Sequence, residues 1–342
     1  MKILLEAHHP AHIHFWKYPI RELQARGHEV LMIGRDRDVM KHLLEVYDWI
    51  PYEIPKRKNR DNRFPLVEML ERQWAVARAI RRFKPDVVAS LMGSYTQSAK
   101  LFGVRNIIFT DSEFQHFNHR IAHPFADEIY TPECFYKDLG PKQRRYNGIH
   151  ELSFLHPSVF DLDPAVLKRY PQLKPEGYIV IRLSAWNTLH DRNHSGIGDR
   201  IYDFVEEFKK EYQLVISAEE GKIPSGLRAY ALELRPEDFH QILGQARLVL
   251  SEGASTASEA ACLGVPCAYI NDTESRGYLK MIESRYQVTR SFSDPVAGLS
   301  WAKDELNDAS IDFLRKKIVV RRQLEQDFCP VYSLVTKLLL AH

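Results

Sequence analysis

The stretch SEGASTASEAACLGVP, residues 251–266, lies between two apolar runs, 246–250 and 267–270. Both runs have the length and composition of buried strands. The small residues after the first run predict a tight turn into a short helix, whose first amides and positive dipole end suit a phosphate. Glu259 follows in the early turns of that helix, where its carboxylate can accept hydrogen bonds from ribose hydroxyls. The stretch therefore predicts a nucleotide held at the carboxyl edge of a parallel sheet.

The elements predicted on either side of this stretch alternate between strand and helix, which is typical of parallel α/β sheets. Residues 148–176 lose this periodicity and contain prolines at 157, 164, 171 and 175, as a linker does. A chain of 342 residues is also long for a single core. We therefore predict two doubly wound parallel-sheet (Rossmann-like) α/β domains that face each other across a cleft. The predicted strands are 3–5, 29–33, 86–91, 106–110, 178–182, 213–217, 246–250 and 267–270. The first predicted helix is 14–26.

The composition is that of an ordinary globular protein. Hydrophobic residues make up 44% of the chain, charged residues 27%, and the formal net charge is +2, all ordinary for a globular protein. We find no motif for binding DNA or RNA and predict no nucleic-acid partner. Four cysteines without a CxxC pair indicate a reducing compartment. The first segment is interrupted by charge too soon for a signal peptide. The sequence also has no apolar run of roughly 20 residues, as a membrane span needs. Both observations favour a cytoplasmic location.

One segment departs from this neutral balance. Residues 51–105 hold twelve lysines and arginines against five acidic residues. A solvated loop and helix face explains such a bias. With Phe64 and Trp74 nearby, the segment could also approach anionic lipid, so peripheral contact with the inner face of a membrane stays open.

Four histidines stand in the loop that follows the first predicted strand, at positions 8, 9, 12 and 14. In an open α/β sheet this loop lies at the carboxyl edge, where ligands bind. Three interpretations compete: a metal site, structural packing, or a general base poised near neutral pH. No acidic or cysteine partner has a fixed spacing to them, so we predict no metal site. We favour His12 as the base, while His9 and His14 are acceptor-side candidates with a structural role equally open.

A second polar loop, residues 110–116, follows the strand predicted at 106–110. Glu113 could act as an acid or base, or could bind a sugar hydroxyl. The alternative is that Asp111 or Ser112 caps a helix with Glu113 in its first turn. His116 and, after the preceding strand, Ser94 are weaker acceptor-side candidates.

A third polar loop opens the second predicted domain. Arg182 ends the first strand of that domain, and Ser184 follows it, with Trp186, His190 and Asp191 further on. A guanidinium at a strand end suits a diphosphate. The alternative is an ordinary surface loop with a solvated arginine.

The order of short motifs resembles a prokaryotic family of unknown function whose members are predicted glycosyltransferases of the GT-B fold. The matching motifs cover nearly the whole chain in order. They are Pro-Ala-His-x-His-Phe at 10–15, Gly-His-Glu-Val at 27–30, Lys-Pro-Asp at 84–86, Asp-x-Glu at 111–113, Gly-x-x-Glu-Leu-x-x-Leu-His-Pro at 148–157, Arg-x-Ser and His-Asp within 182–191, and the small-residue loop with Glu-Ala-Ala-x-Leu-Gly-x-Pro at 253–266.

More remotely, residues 253–259 are similar to the donor loop of the lipid-linked N-acetylglucosaminyltransferase of peptidoglycan synthesis. That resemblance implies that Glu259 holds the ribose, and it places His12 where that enzyme carries a histidine before its first helix. The chain also resembles the non-hydrolysing UDP-N-acetylglucosamine 2-epimerases. Glu113 matches a glutamate of those enzymes, whereas residues 93–95 lack the aspartate of their Gly-Asp-Thr turn.

Together, the residues and the resemblance predict a metal-independent glycosyltransferase without a cofactor. It would transfer sugar from a nucleoside-diphosphate sugar, with UDP favoured, to a hydroxyl of a saccharide or lipid-linked acceptor in surface polysaccharide or glycolipid synthesis. A 2-epimerase or hydrolase of the same fold and a non-catalytic binding protein are the alternatives. We predict an acceptor domain at 1–160, a donor domain at 161–328 and a C-terminal segment at 329–342, with its helix at 331–340, that returns to the first domain. The predicted donor-binding residues are Arg182, Ser184, Gly253, Ala254, Ser255, Thr256 and Glu259.

Overall fold

The computed structural model describes residues 1–35, 39–55, 65–93, 95–184, 196–218, 223–273, 276–308 and 312–341, without the side chains of 65–69. The chain divides into two compact units. The first unit holds Met1–Phe154 together with Phe328–His342, and the second holds Leu155–Asp327.

The first unit contains a seven-stranded parallel sheet in the order β3-β2-β1-β4-β5-β6-β7. The strand order reverses between β1 and β4, so this is the point where the carboxyl-edge loops diverge and leave room for a ligand. The strands are β1 (Lys2–Glu6), β2 (Glu29–Ile33), β3 (Tyr52–Glu53), β4 (Val87–Ser90), β5 (Arg105–Phe109), β6 (Glu128–Pro132) and β7 (Gln143–Tyr146). The helices between them are α1 (Pro10–Ala25), α2 (Met40–Val46), α3 (Pro65–Phe83), α4 (Thr96–Leu101) and α5 (His116–Ile121).

The second unit contains a five-stranded parallel sheet in the order β12-β11-β10-β8-β9, which reverses between β8 and β10. Its strands are β8 (Tyr178–Leu183), β9 (Gln213–Ala218), β10 (Leu248–Ser251), β11 (Cys267–Ile270) and β12 (Thr289–Phe292). Its helices are α6 (Arg200–Phe208), α7 (Phe239–Gly244), α8 (Ala254–Cys262), α9 (Gly277–Tyr286), α10 (Pro295–Asn307) and α11 (Phe313–Asp327). A last helix, α12 (Val331–Leu340), follows as part of the first unit.

Helix α1 is the central packing element of the first unit. Its residues Phe15 and Trp16 are fully buried and pack edge-on against each other and around Phe109 of β5. The Trp16 indole Nε1 donates to the carbonyl of Glu6 at 3.2 Å, which ties the helix to β1. Helix α12 packs on the same helix and on the 3-10 turn His150–Ser153. The start of α1 is therefore held rigidly beside the carboxyl end of the sheet.

Pro19 lies inside α1 and cannot donate to the carbonyl of Phe15, its usual helical partner four residues earlier. The hydroxyl of Ser153 donates to that carbonyl instead, at 2.6 Å, and Ser153 is fully buried. A buried carbonyl without a donor is costly. Ser153 thus allows a proline in a buried helix and joins α1 to the turn that carries His150.

We expect Ser153→Ala to lower the free energy of unfolding by about 1–3 kcal/mol, because the Phe15 carbonyl would stay buried without a donor. Denaturant titration followed by circular dichroism measures this loss. The exposed Ser300 on α10 provides the control, and Ser300→Ala should change stability by less than about 0.5 kcal/mol. Equal effects of the two substitutions would contradict the role assigned to Ser153.

Candidate functional site

The histidine loop of the first unit is shorter than the sequence indicated, because α1 begins at Pro10 and not at His14. Proline is favoured in the first turn of a helix, and His9 supplies the cap by accepting from the Ala11 amide through Nδ1 at 3.3 Å. His9 is exposed and serves as a helix cap. His12 and His14 consequently lie on the first turns of α1.

Two of the four histidines pack as structural residues. His8 is buried, and its Nε2 lies 2.8 Å from the Glu6 carboxylate at the end of β1. The buried ring of His14 packs beside Phe154, with 5.6 Å between the ring centroids, and beside Tyr47 at 6.2 Å. These contacts support the structural role that the sequence left open for His14.

His12 is placed differently from the other three histidines. Its Nδ1 accepts a hydrogen bond from the backbone amide of His8 at 3.2 Å, and its side chain is 8% exposed. Burial lowers the pKa of His12 well below its usual value, and the neighbouring His8, His9 and His150 lower it further. The ring is therefore neutral at physiological pH.

In the second predicted loop, Asp111 contacts this histidine cluster. The Asp111 carboxylate lies 3.1 Å from Nδ1 of His150 and keeps 20% of its side chain exposed. Glu113 is fully buried, and its backbone carbonyl accepts from Lys137 Nζ at 2.7 Å. The alternative that Asp111 or Ser112 caps a helix is wrong, because α5 begins at His116 with Gln115 at its cap.

Two acceptor-side candidates remain, His116 and Ser94. His116 is exposed at the start of α5, where its Nε2 lies 3.5 Å from Lys137 Nζ. Ser94 lies outside the described residues.

Sequence reasoning missed His150 as a site residue. It lies in the segment 148–157, which was noted only for its resemblance to a family motif. The neighbouring acids also act on Cys134: burial raises the pKa of this thiol to about 12, and Glu113, Asp111 and Glu151 add to the effect. The thiol of Cys134 therefore stays protonated near neutral pH.

The run that predicted the nucleotide site forms β10, a turn and α8 in the second unit. Gly253 caps α8 with an extended backbone and offers no side chain to the first helical amides. The Ser251 hydroxyl holds the turn, since it lies 2.8 Å from the Gly253 carbonyl and 3.1 Å from its amide. Ser255 is exposed, whereas Ala254 and Thr256 are buried. The helix start lies beside β8, where the strand order reverses.

Glu252, also missed from the sequence, organises this edge. One oxygen of its buried carboxylate accepts from the Ser184 amide at 2.7 Å, and the other accepts from the Ile197 amide at 2.8 Å. These amides lie on either side of residues 185–195. One carboxylate therefore holds the residues that flank that segment on both sides. The predicted Trp186, His190 and Asp191 lie outside the described residues. Arg182 is half-buried on β8, and its carbonyl accepts from the Glu252 amide at 3.0 Å.

Glu259 has a partner that the sequence did not indicate. Its Oε1 lies 3.2 Å from Nε2 of His240 on α7, and both side chains are buried. His240 is edge-on to Phe239 and Phe160, which hold its ring in place. The carboxylate is thus oriented by an imidazole within the same unit.

Within the part of the chain that the structure describes, no group of three or more histidine, cysteine, aspartate or glutamate side chains could hold an ion.

Comparison with solved structures identifies the fold. The UDP-GlcNAc 2-epimerase from Neisseria meningitidis, solved bound to UDP-GlcNAc, superposes with a TM-score of 0.67 at 12% identity over 99% of this chain and all of the other. The spinosyn rhamnosyltransferase SpnG, complexed with thymidine diphosphate, gives 0.61 at 14% identity over 99% and 100% of the two chains. MurG of Acinetobacter baumannii gives 0.57 at 14% identity over 99% of each chain.

These likenesses confirm the predicted fold class, two doubly wound parallel-sheet domains of the GT-B type. They also confirm the resemblance to the epimerases and to glycosyltransferases of this fold. The family match extends over residues 1–289. The chain therefore belongs to the family described as "Protein of unknown function (DUF354)".

Proposed function

We propose that this protein is a glycosyltransferase that uses a nucleoside-diphosphate sugar, with UDP favoured. The observation that carries the proposal is the start of α8. A glycine-capped helix of nine residues begins at the carboxyl end of β10, beside β8, where the strand order reverses, and Ser255 is exposed in its first turn. Helix amides at such a point bind phosphate oxygens, and ligands of open parallel sheets bind there. The fold, shared with proteins solved with UDP-GlcNAc or thymidine diphosphate, supports the same proposal.

On the donor side, the amides of Ala254, Ser255 and Thr256 would hold the diphosphate, and Arg182 and Ser184 would contact it from the end of β8. Glu259 would accept hydrogen bonds from the ribose hydroxyls, with His240 fixing its carboxylate. The helix dipole and the arginine supply positive charge to the departing diphosphate, so the proposed reaction needs no metal.

On the acceptor side, the reaction requires removal of one proton. The hydroxyl oxygen of the acceptor forms a bond to the anomeric carbon, the bond from that carbon to the diphosphate oxygen breaks, and the nucleoside diphosphate leaves with the electron pair. The hydroxyl proton passes to a base on the carboxyl edge of the first unit, where His12, Asp111 and His150 cluster. The acceptor would be a saccharide or a lipid-linked glycan.

Residues on α3 support peripheral contact with a membrane. Trp74 is 63% exposed with the Arg78 guanidinium 4.8 Å from its ring centre, and Leu70 is equally exposed. An aromatic ring beside a cation suits the lipid headgroup region. Among the described residues, no helix is both long and apolar enough to cross a bilayer. The cytoplasmic location stays a prediction.

The second candidate function is 2-epimerisation or hydrolysis of the nucleotide sugar itself. It is favoured by the TM-score of the superposition on a UDP-GlcNAc 2-epimerase, which is higher than the TM-scores for the two glycosyltransferase-fold proteins named above. Incubation with nucleotide sugar alone separates the candidates: efficient isomerisation or hydrolysis without an acceptor excludes the transferase. Binding without turnover under all conditions identifies a binding protein.

The donor-site assignment is tested by calorimetric titration with UDP. We expect the wild-type protein to bind UDP and Glu259→Ala to bind about tenfold or more weakly, since hydrogen bonds from ribose hydroxyls to a carboxylate would be lost. Glu325→Ala, at an exposed glutamate of α11, should bind like the wild type. UDP binding that Glu259→Ala leaves unchanged would remove Glu259 from the site, and a wild type that binds no nucleotide would refute the proposed function.

A further inference from the structure

The protonation of His12 follows from its contact with the backbone. A backbone amide can only donate, and the amide of His8 points at Nδ1 of His12 at 3.2 Å. Nδ1 must therefore carry the lone pair. In a neutral imidazole the single ring proton then resides on Nε2. His12 thus presents an N–H group, and not a lone pair, at its outer nitrogen.

We propose that His12 acts as a hydrogen-bond donor to a substrate oxygen and not as the general base. This assignment rests on the proposed function for the identity of the substrate. The titrations described below identify which oxygen of the substrate accepts from His12. A fixed N–H group of a neutral imidazole stabilises an oxygen that gains negative charge, without itself taking part in proton transfer.

Conversion of His12 into a base would require a different proton arrangement. The outer nitrogen is already protonated, and a proton on Nδ1 would break the bond from the His8 amide. The resulting cation would be buried beside His8, His9 and His150, all of which disfavour a positive charge there. The pKa of His12 is accordingly lowered, chiefly by burial. Each of these effects favours the neutral donor.

Contacts of the surrounding residues also fix the helix that carries the His12 ring. The His12 amide donates to the His9 carbonyl at 2.9 Å, which fixes the first turn of α1. One turn further on, Trp16 ties the helix to β1 and Ser153 ties it to the turn 150–153. The helix that carries His12 is therefore fixed before any ligand arrives, and the bond from the His8 amide orients the ring, as an oxyanion-stabilising group requires.

His150 provides a contrast within the same cluster. Its Nδ1 lies 3.1 Å from the Asp111 carboxylate, which can only accept, so that nitrogen carries a proton. The two neighbouring histidines therefore hold opposite nitrogens in the protonated state. In one spectrum of both rings, the protonated Nδ1 of His150 therefore serves as the reference for the unprotonated Nδ1 of His12.

The test is a long-range 15N–1H correlation spectrum of the full chain with ring-labelled histidine, assigned by comparison with His12→Gln. We expect a protonated Nε2 and an unprotonated Nδ1 for His12, and a protonated Nδ1 for His150. The His12 pattern should not titrate between about pH 6 and 8. A protonated Nδ1 on His12, or titration in this range, would overturn the proposal. Because this result needs no substrate, it stands whether or not the proposed function holds.

Substrate titrations in the same spectrum identify the oxygen. A shift of His12 Nε2–H with UDP alone assigns the diphosphate, and a shift only with UDP-GlcNAc assigns the sugar. If calorimetry shows that both ligands bind and neither shifts this resonance, the donor role is wrong. If neither ligand binds, the proposed function fails, whereas the protonation state is still measured.

Turnover gives an independent check through two variants. The carboxamide of His12→Gln still donates an N–H but cannot act as a base near neutral pH. We expect this variant to stay within about tenfold of the wild-type kcat, and His12→Ala to fall by about 100-fold or more. Equal losses in both variants, together with loss of the His12-dependent limb of the pH–rate profile, would identify a general base instead.

Discussion

Replacement of Glu252 by alanine is expected to lower the free energy of unfolding of the second unit by about 3–5 kcal/mol and to abolish donor-dependent turnover. The buried carboxylate accepts from two amides, those of Ser184 and Ile197. Hydrogen bonds to a charged group contribute roughly 1.5–3 kcal/mol each, and removal of the carboxylate leaves both donors without their acceptor. The loss of turnover follows because the same contact positions the end of β8 beside the start of α8.

Amide hydrogen exchange measures this effect at the two groups concerned. In the wild type the Ser184 and Ile197 amides should be protected, and in Glu252→Ala they should exchange at least about tenfold faster. Glu252→Gln keeps one acceptor oxygen but places an N–H group beside the other amide, so it should lie between the two. Glu325→Ala provides an exposed control on the same unit. Unchanged exchange in Glu252→Ala would show that the two hydrogen bonds to Glu252 contribute nothing to the stability of this edge.

The sequence predicted the elements that combine apolar composition with clear borders. The strands at 29–33 and 267–270 and the helix at 331–340 have the predicted bounds. The start of α1 was wrong by four residues, because the capping role of His9 and the first-turn position of Pro10 were not recognised. Proline at the first turn and an N-cap acceptor before it are local signals that would have placed the helix correctly.

Other elements left no signal of their own. Strand β7 reads Gln-Arg-Arg-Tyr and lies at the edge of its sheet, with both arginines exposed. An edge strand needs no apolar run, since only one side pairs and solvent covers the rest. Strand β3 has two residues, too few for any periodicity. Such elements form because the neighbouring strand offers hydrogen bonds, which a sequence does not show.

The candidate site was likewise predictable from the sequence only in part. The edge loops could be predicted, because in a parallel sheet every strand ends at the same edge. The partners of individual side chains could not: Glu252 binds an amide 68 residues earlier, and His150 pairs with a carboxylate from another loop. The sequence also did not show that the side chain of Glu113, predicted as a possible acid or base, is fully buried. Long-range pairing and burial are properties of packing, and local sequence does not encode them.

Gly264 decides how closely α8 approaches α11, and Gly264→Ala is expected to lower the free energy of unfolding by about 2–5 kcal/mol. The residue follows the end of α8 with a φ of +73°, a conformation that disfavours any L side chain by roughly 1–2 kcal/mol. An added Cβ would also lie 2.8 Å from the Cα and 2.9 Å from the carbonyl oxygen of Lys317. Backbone cannot move as a side-chain end can, so α11 would have to shift, at a further cost of about 1–3 kcal/mol.

Gly198 separates these two contributions, because its φ is +59° and a Cβ there would meet nothing within 4 Å. Gly198→Ala should therefore show the conformational cost alone, and urea denaturation of both variants gives the difference. A shift of α11 would also disturb the buried Lys317, whose Nζ donates to the Ala246 carbonyl at 2.9 Å just before β10. We thus expect Gly264→Ala to weaken UDP binding as well, since β10 leads into the turn at Gly253. Equal destabilisation by the two substitutions would mean that the helices have room to separate and that the turn does not depend on their contact.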